Sequence, residues 1–261
     1  VGSATADSNT IVPTSSVDAD AQAFITAAGI TNSTQKSAIN QLVLDLKGYS
    51  IWTKFDALYP MVGGVATAHA VNLKTPGTFN LTFNGGWTHS STGAKPNGTN
   101  GYANTGYTPS VSSTLNSHHL SFYSRTNSNG VEVEIGSQQP GPYYDFLEIR
   151  TSGVSYYSIN SSSYDSVSDA NSQGFYIGNR TLSNDVDLFK SGTKIKNGTA
   201  TSSLRSNQQL YLCAFNNNGT TQYYSTKECS FSSIGSGLTD TEAANFYTAV
   251  QAFQTTLSRQ I

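Results

Sequence analysis

Two glutamates stand two apart in the run Val131-Glu132-Val133-Glu134-Ile135. Alternate residues of a strand share a face. A carboxylate pair on one face is how a glycoside hydrolase of sandwich type sets an acid against a nucleophile, about 5–5.5 Å apart for a retaining reaction. Such enzymes place a third acidic residue in a Glu-x-Asp-x-x-Glu pattern. Here Val133 intervenes and Gly136-Ser137-Gln138 follows. The simpler expectation is that Glu132 and Glu134 face solvent, opposite a core face of Val131, Val133 and Ile135. Hydrolysis by Glu132 and Glu134 stands as an alternative, and no residue is assigned a catalytic role.

Aromatic residues supply the second signal. Trp87 lies in a Gly85-Gly86-Trp87 loop, Tyr143 and Tyr144 follow Pro140-Gly141-Pro142, and Tyr156 and Tyr157 fall on the next hairpin. Sugar rings stack on exposed aromatic faces while neighbouring polar groups bond their hydroxyls. These five residues are the candidate ligand-binding set. The competing expectation is that they fill a core, since adjacent tyrosines on a strand send one ring inward.

Metal and nucleophile chemistry find less support. His118 and His119 are adjacent, so on a strand they point to opposite faces and do not chelate together. Asp165, Asp169, Asp185 and Asp187 fall in prospective loops without a calcium-ligand spacing, so no metal set is assigned and calcium stays an open alternative. No Gly-x-Ser-x-Gly elbow, phosphate loop or Cys-x-x-Cys occurs.

Charge narrows the partners. Only 11% of the 261 residues are charged, the net charge is −2, and lysine and arginine do not cluster, which argues against nucleic acid. The apolar fraction of 36% suits strands that bury one face. No apolar run approaches the roughly 18 residues of a spanning helix. The opening residues carry no basic segment followed by an apolar stretch, so no signal peptide is expected. If a hairpin turns at Asn217–Thr220, Cys213 faces Tyr224 rather than Cys229, which favours two free thiols and a reducing setting for folding.

The elements that must position these residues read as follows. Residues 1–17 form a Ser/Thr/Ala-rich extended arm, and residues 18–70 a helical attachment. In it, Asp18–Gly29 is one helix. Ser33 caps a second, Thr34–Lys47, and Trp52–Tyr59 continues as a helical apolar segment stopped by Pro60. From 71 to 261 short β runs alternate with turns. The candidate strands are Thr78–Phe83, Tyr102–Tyr107, Leu120–Thr126, Val131–Gly136, Tyr144–Arg150, Val154–Asn160, Gly174–Arg180, Val186–Lys190, Lys194–Lys196, Gln208–Phe215 and Thr221–Ile234. Thr239 and Glu242 form a capping box ahead of an apolar stripe of Phe246, Val250, Phe253 and Leu257. The expected fold is all-β, an antiparallel jelly-roll β-sandwich with an N-terminal helical segment and a C-terminal amphipathic helix.

Asn97–Thr105 followed by His119–Arg125 (HLSFYSR) resembles the opening of concanavalin A-like, or laminin G-like, jelly rolls. Val186–Lys196 is similar to that family's hairpin, and Leu210–Asn218 to its next strand. The tail Phe231–Gln254 resembles laminin G-like proteins of bacteriophage genomes, where it follows the jelly roll in minor structural proteins. The resemblance covers about residues 75–258. It implies a non-enzymatic virion protein, a head or tail appendage, with other virion proteins, further copies of itself and host-surface glycan as partners. A secreted calcium-dependent carbohydrate-binding lectin is the alternative it leaves open.

Overall fold

The computed structural model describes residues 17–261, so all of the expected 1–17 arm but Val17 lies outside the described residues. Two sheets stack face to face. In chain order the strands are β1 (Phe55–Tyr59), β2 (Thr82–Asn84), β3 (Trp87–His89), β4 (Ala94–Pro96), β5 (Tyr102–Asn104), β6 (His118–Ser124), β7 (Ile135–Gln139), β8 (Tyr143–Thr151) and β9 (Val154–Ser161). They continue as β10 (Asp165–Ser168), β11 (Gly174–Leu182), β12 (Asp185–Lys190), β13 (Thr193–Gly198), β14 (Tyr211–Leu212), β15 (Phe215–Asn217), β16 (Thr220–Gln222) and β17 (Cys229–Gly235). The first sheet runs β13-β12-β11-β6-β17-β4-β3, with β1 also on β17. The second runs β10-β9-β8-β7-β14-β5-β2, and β15 carries β16 to the side of β7. Every pairing between these strands is antiparallel except β15 with β7. The expected β-sandwich with flanking helices is the fold observed.

The two-residue period of a strand sorts side chains into layers. Leu120 and Phe122 of β6, Tyr176 of β11, Leu188 of β12 and Ile234 of β17 meet Leu147, Ile149, Tyr157 and Ile159 of the second sheet in the core between the sheets. The intervening residues of the first sheet, Tyr123, Phe175, Ile177, Phe189 and Phe231, point the other way. There they are covered by three helices, α1 (Ala19–Ala27), α2 (Ser33–Gly48) and, after two single turns α3 (Ala66–His69) and α4 (Pro109–Ser112), the closing helix α5 (Asp240–Thr256). The first sheet is thus buried on both faces, which is why every residue of β6 and β17 is buried. The helices bring Phe24, Ile39, Leu42, Phe246 and Phe253 to that contact. Among the described residues no helix is long and apolar enough to cross a membrane.

α5 starts as its capping box dictates. The Thr239 hydroxyl accepts from the Glu242 N–H, and the Glu242 carboxylate accepts from the Thr239 N–H. Thr239→Ala should lower stability by about 1 kcal/mol, read from urea denaturation.

Several boundaries differ from expectation, each for a visible reason. Asn32, not Ser33, caps α2, because its carboxamide oxygen accepts from the Gln35 N–H. Trp52–Lys54 makes one tight turn, and Phe55–Tyr59 is then not helix but the strand β1, since Leu58 and Tyr59 pair with Ser233 and Ser232 of β17. Gln208–Phe215 breaks at Cys213, whose φ of 62° turns the chain back between β14 and β15. Both cysteines are buried free thiols. Asp165–Ser168, too polar to stand out, adds the edge strand β10 against β9. The aspartates considered for calcium have other partners. Asp165 accepts from the Thr199 and Ala200 N–H groups, Asp169 from Ser155, Tyr176 and Lys190, and Asp187 pairs with Lys194; Asp185 accepts from Thr181.

His118 and His119 do point to opposite faces. His118 stacks on Tyr107 between the sheets, and His119 lies edge-on to Phe55 under the helices. Burial pushes His69 and His118 down to about 3 and His119 down to about 4. A base with a depressed folded pKa takes up a proton on unfolding, so its contribution is full above the unfolded pKa near 6.5 and is lost as pH falls toward the folded value. Two carboxyls that burial raises to about 7, Glu134 and Asp145, act the opposite way over much of the same range. Burial also lowers His89 and raises Asp56, Glu148 and Asp187, so the two sets oppose each other across this range.

Candidate aromatic cleft on the second sheet

The outer face of the second sheet carries an apolar patch that the helices do not cover. Period two on β8 sends Leu147 and Ile149 inward and turns Tyr144, Phe146 and Glu148 outward. On β9 it buries Tyr157 and turns Tyr156 outward. Phe215 reaches this face because the chain reverses at Cys213, which sets β15 parallel to β7. Gly136 of β7 lies beneath: a Cβ there would meet Phe146 Cβ at 2.6 Å and the Phe215 ring at 3.0 Å. Only a residue without a side chain lets both rings settle on the sheet. Tyr211, opposite Gly136, stacks on Tyr102 with ring centroids 4.6 Å apart and extends the aromatic stripe toward β5.

The rings meet at steep angles. Tyr164 lies across Tyr144, Phe146 and Tyr156, with centroids 6.4, 6.3 and 5.8 Å away and interplanar angles of 73°, 60° and 79°. Phe146 stands at 78° to Phe215. Edge-to-face packing of this kind holds the rings in fixed orientation. Two adjoining hollows result. One, of about 260 Å³, is lined by Val131, Val133, Gln138, Tyr144, Phe146, Glu148, Tyr164, Phe215 and Tyr223. The other, of about 280 Å³, is lined by Phe146, Glu148, Thr151, Tyr156 and Tyr164. Tyr164 is 56% exposed and Tyr223 48%, large values for aromatic side chains. Glu148 borders both hollows, and burial raises its pKa.

The wall at Val131 and Val133 is held from behind by the two glutamates of the sequence motif. These do not face solvent, and the core face expected of Val131 and Val133 is reversed. Val131 is exposed, Val133 packs against the outer rings, and the strand proper begins only at Ile135. Glu132 and Glu134 turn inside instead, 7% and 0% exposed, where both accept from the Lys227 ammonium at 2.9 Å. Glu132 also accepts from Thr226, and Glu134 from Ser225 and from the Ile149 N–H. Burial pushes Glu134 up to about 7 against the pull of Lys227, while Lys227 and Thr226 hold Glu132 below the usual carboxylate range despite its burial. A pair enclosed in this way has no room for a sugar ring between its members. The alternative of hydrolysis by Glu132 and Glu134 would need both carboxylates at a cleft, and both are buried away from the hollows.

The candidate aromatics divide. Tyr144 and Tyr156 line the cleft. Tyr157 is fully buried between the sheets, so its place in a sugar platform is corrected. Tyr143 is half-buried beside the Pro140–Pro142 turn, pairs in register with Gln139, and lies outside both hollows. Trp87 belongs to the β3–β4 hairpin, where its Nε1–H donates to the Asn84 carbonyl and its ring packs on Phe83. It borders a separate hollow of about 590 Å³ with Lys95, Asn97 and Thr226, wide but with a single aromatic ring. Phe146, Glu148, Tyr164, Phe215 and Tyr223 were not anticipated. The alternation Phe146-x-Glu148 beside Tyr144 was the one readable signal for the first two.

Comparison with known proteins adds the fold's kinship. No family model matches the chain, and no curated protein matches it. Among solved structures, the botulinum neurotoxin serotype D binding domain superposes with a TM-score of 0.52 at 11% identity, over 76% of this chain and 52% of that one. Domain 4 of AbnA, an extracellular arabinanase of Geobacillus stearothermophilus, solved with arabinotriose, gives 0.45 at 15% identity, over 74% of this chain and 98% of that one. The CBM40 of a Ruminococcus gnavus sialidase, bound to α2,3-sialyllactose, gives 0.40 at 14% identity, over 50% of this chain and 82% of that one. The chain spans about a quarter of the Streptococcus pneumoniae NanB sialidase and about half of the neurotoxin domain. At these identities the likeness to the neurotoxin binding domain, the one of these with a TM-score above 0.5, shows a shared fold alone.

Proposed function

We propose that the protein is a carbohydrate-binding module whose binding surface is the uncovered outer face of the second sheet. The observation that carries this reading is the Tyr144–Phe146–Tyr156–Tyr164 group, a set of mutually braced rings on a rigid sheet, with Tyr164 exposed, Tyr144 and Tyr156 half-buried and Phe146 beneath them. Such a group provides flat apolar faces for pyranose or furanose rings, and Gln138, Glu148 and Thr151 stand beside it to bond hydroxyls. The asymmetry of the sandwich supports the same reading, since one outer face is sealed by helices and this one is not. Two of the neighbours, the arabinanase domain and the sialidase CBM40, are solved with glycans. The cleft contributes one carboxylate, too few for a calcium shell of roughly 6–8 oxygens, so binding should survive a chelator.

Tyr164→Ala and Tyr156→Ala should each weaken glycan affinity about tenfold or more, with the smaller change in stability at Tyr164, which is exposed where Tyr156 is half-buried. Titration calorimetry against hits from a glycan array reads the effect. Full affinity retained in a Tyr156/Tyr164 double variant would move the site elsewhere. The likeness of residues 231–254 to bacteriophage laminin G-like proteins adds a setting to the proposal. On a virion appendage, the same face would meet host-surface glycan, and immunogold labelling of particles tests that placement.

A further inference from the structure

We propose that the cleft selects glycans that carry no negative charge, with Glu148 as the residue that sets this preference; the inference rests on the glycan-binding reading above. Among the described residues, Glu148 is the only charged side chain bordering either hollow, and it borders both. It has no ion-pair partner among the described residues. Lys227 and Arg150 line neither hollow, and burial outweighs the pull of Lys227 on Glu148. Lys227 is fully enclosed between Glu132 and Glu134. Arg150, the next alternate residue along β8, donates to Asn127 Oδ1 and to the carbonyls of Ser128 and Asp169.

A sugar carboxylate or sulfate is recognised through guanidinium or ammonium groups, which match its charge and geometry. None faces this cleft. An acidic sugar seated over Tyr156 and Tyr164 would instead bring its charge toward the like charge of Glu148 along an apolar wall, where repulsion is stronger than in bulk water yet still open to screening by salt. A neutral sugar meets the opposite situation. Vicinal hydroxyls are donors, and a carboxylate has room to accept from two of them beside the bond from Thr151. The cleft is therefore built as an acceptor site.

The test uses the 261-residue chain on an array of neutral oligosaccharides together with sialylated and uronic-acid forms of the same chains, then titrates the best neutral ligand and its sialylated form. The expected result is that the sialylated form binds about tenfold or more weakly, and that the gap shrinks in about 0.5 M salt. Glu148→Gln should bring the gap below about threefold, since the amide keeps the shape and removes the charge. The salt series tests the same point without relying on a variant. Equal or tighter binding of the sialylated form, still lost in Tyr164→Ala, overturns this inference and leaves the cleft as the glycan site. Absence of binding to any member of the array, or binding indifferent to Tyr164→Ala, overturns both.

Discussion

Replacing Lys227 by methionine should cost about 3–5 kcal/mol of stability, because the change strands two carboxylates that have lost their only cation. The ammonium is fully buried and lies 2.9 Å from both Glu132 and Glu134. Methionine fills the volume, so the loss reports charge rather than a cavity. Pairing the change with Glu134→Gln should recover part of the loss, since one buried negative charge is then gone. Urea denaturation of the two single variants and the double variant gives the coupling directly. Additive losses, or a Lys227→Met cost under about 1 kcal/mol, would mean that the three groups do not act as a unit. The same variant should loosen the cleft. The triad ties 132–134 to 225–227, and the Val133 N–H donates to the Tyr223 carbonyl, so Val131, Val133 and Tyr223 depend on it for their positions.

Arg259→Met should cost about 3–5 kcal/mol for a related reason, with carbonyls rather than carboxylates left without partners. The Arg259 guanidinium is 1% exposed. It donates to the backbone carbonyls of Pro60, Met61 and Ser230 and to the Gln254 side chain, and it lies over the Phe253 ring at 5.2 Å. One side chain thereby joins the end of α5 to the ends of β1 and β17. Lysine should restore less than half of the loss, because an ammonium does not reproduce a planar five-donor fork. Thermal or urea unfolding reads the effect, and near-wild-type stability of Arg259→Met would contradict the clamp. Arg180 works alike at the other end, donating to the carbonyls of Ile159, Leu182, Ser183 and Ala200.

What the sequence conveyed, and what it withheld, follows from the range of the forces involved. The α5 capping box is a contact over three residues, and the hairpins at Thr151–Val154 and Ser191–Thr193 depend on local turn chemistry, so these were legible. Alternation correctly divided Tyr156 from Tyr157 but did not say which of the two faced out. β1 looked helical because the pairing that makes it a strand comes from β17, more than 170 residues away. Glu132 and Glu134 looked solvent-facing because their counter-ion, Lys227, lies over 90 residues on. Phe215 was hidden by the left-handed turn at Cys213, a conformation that cysteine does not advertise. The cleft as a whole joins β7, β8, β9, β15 and the loop at Tyr164, so only the folded sheet brings its rings together.

Chemical-shift mapping of the chain against a neutral oligosaccharide found on the array tests the central claim most directly. The account predicts saturable shifts at Tyr144, Glu148, Tyr156 and Tyr164, and none on α1, α2 and α5 or at the Trp87 hairpin. Shifts concentrated at Trp87, Lys95 and Asn97, with the β8–β9 face unchanged, would contradict it.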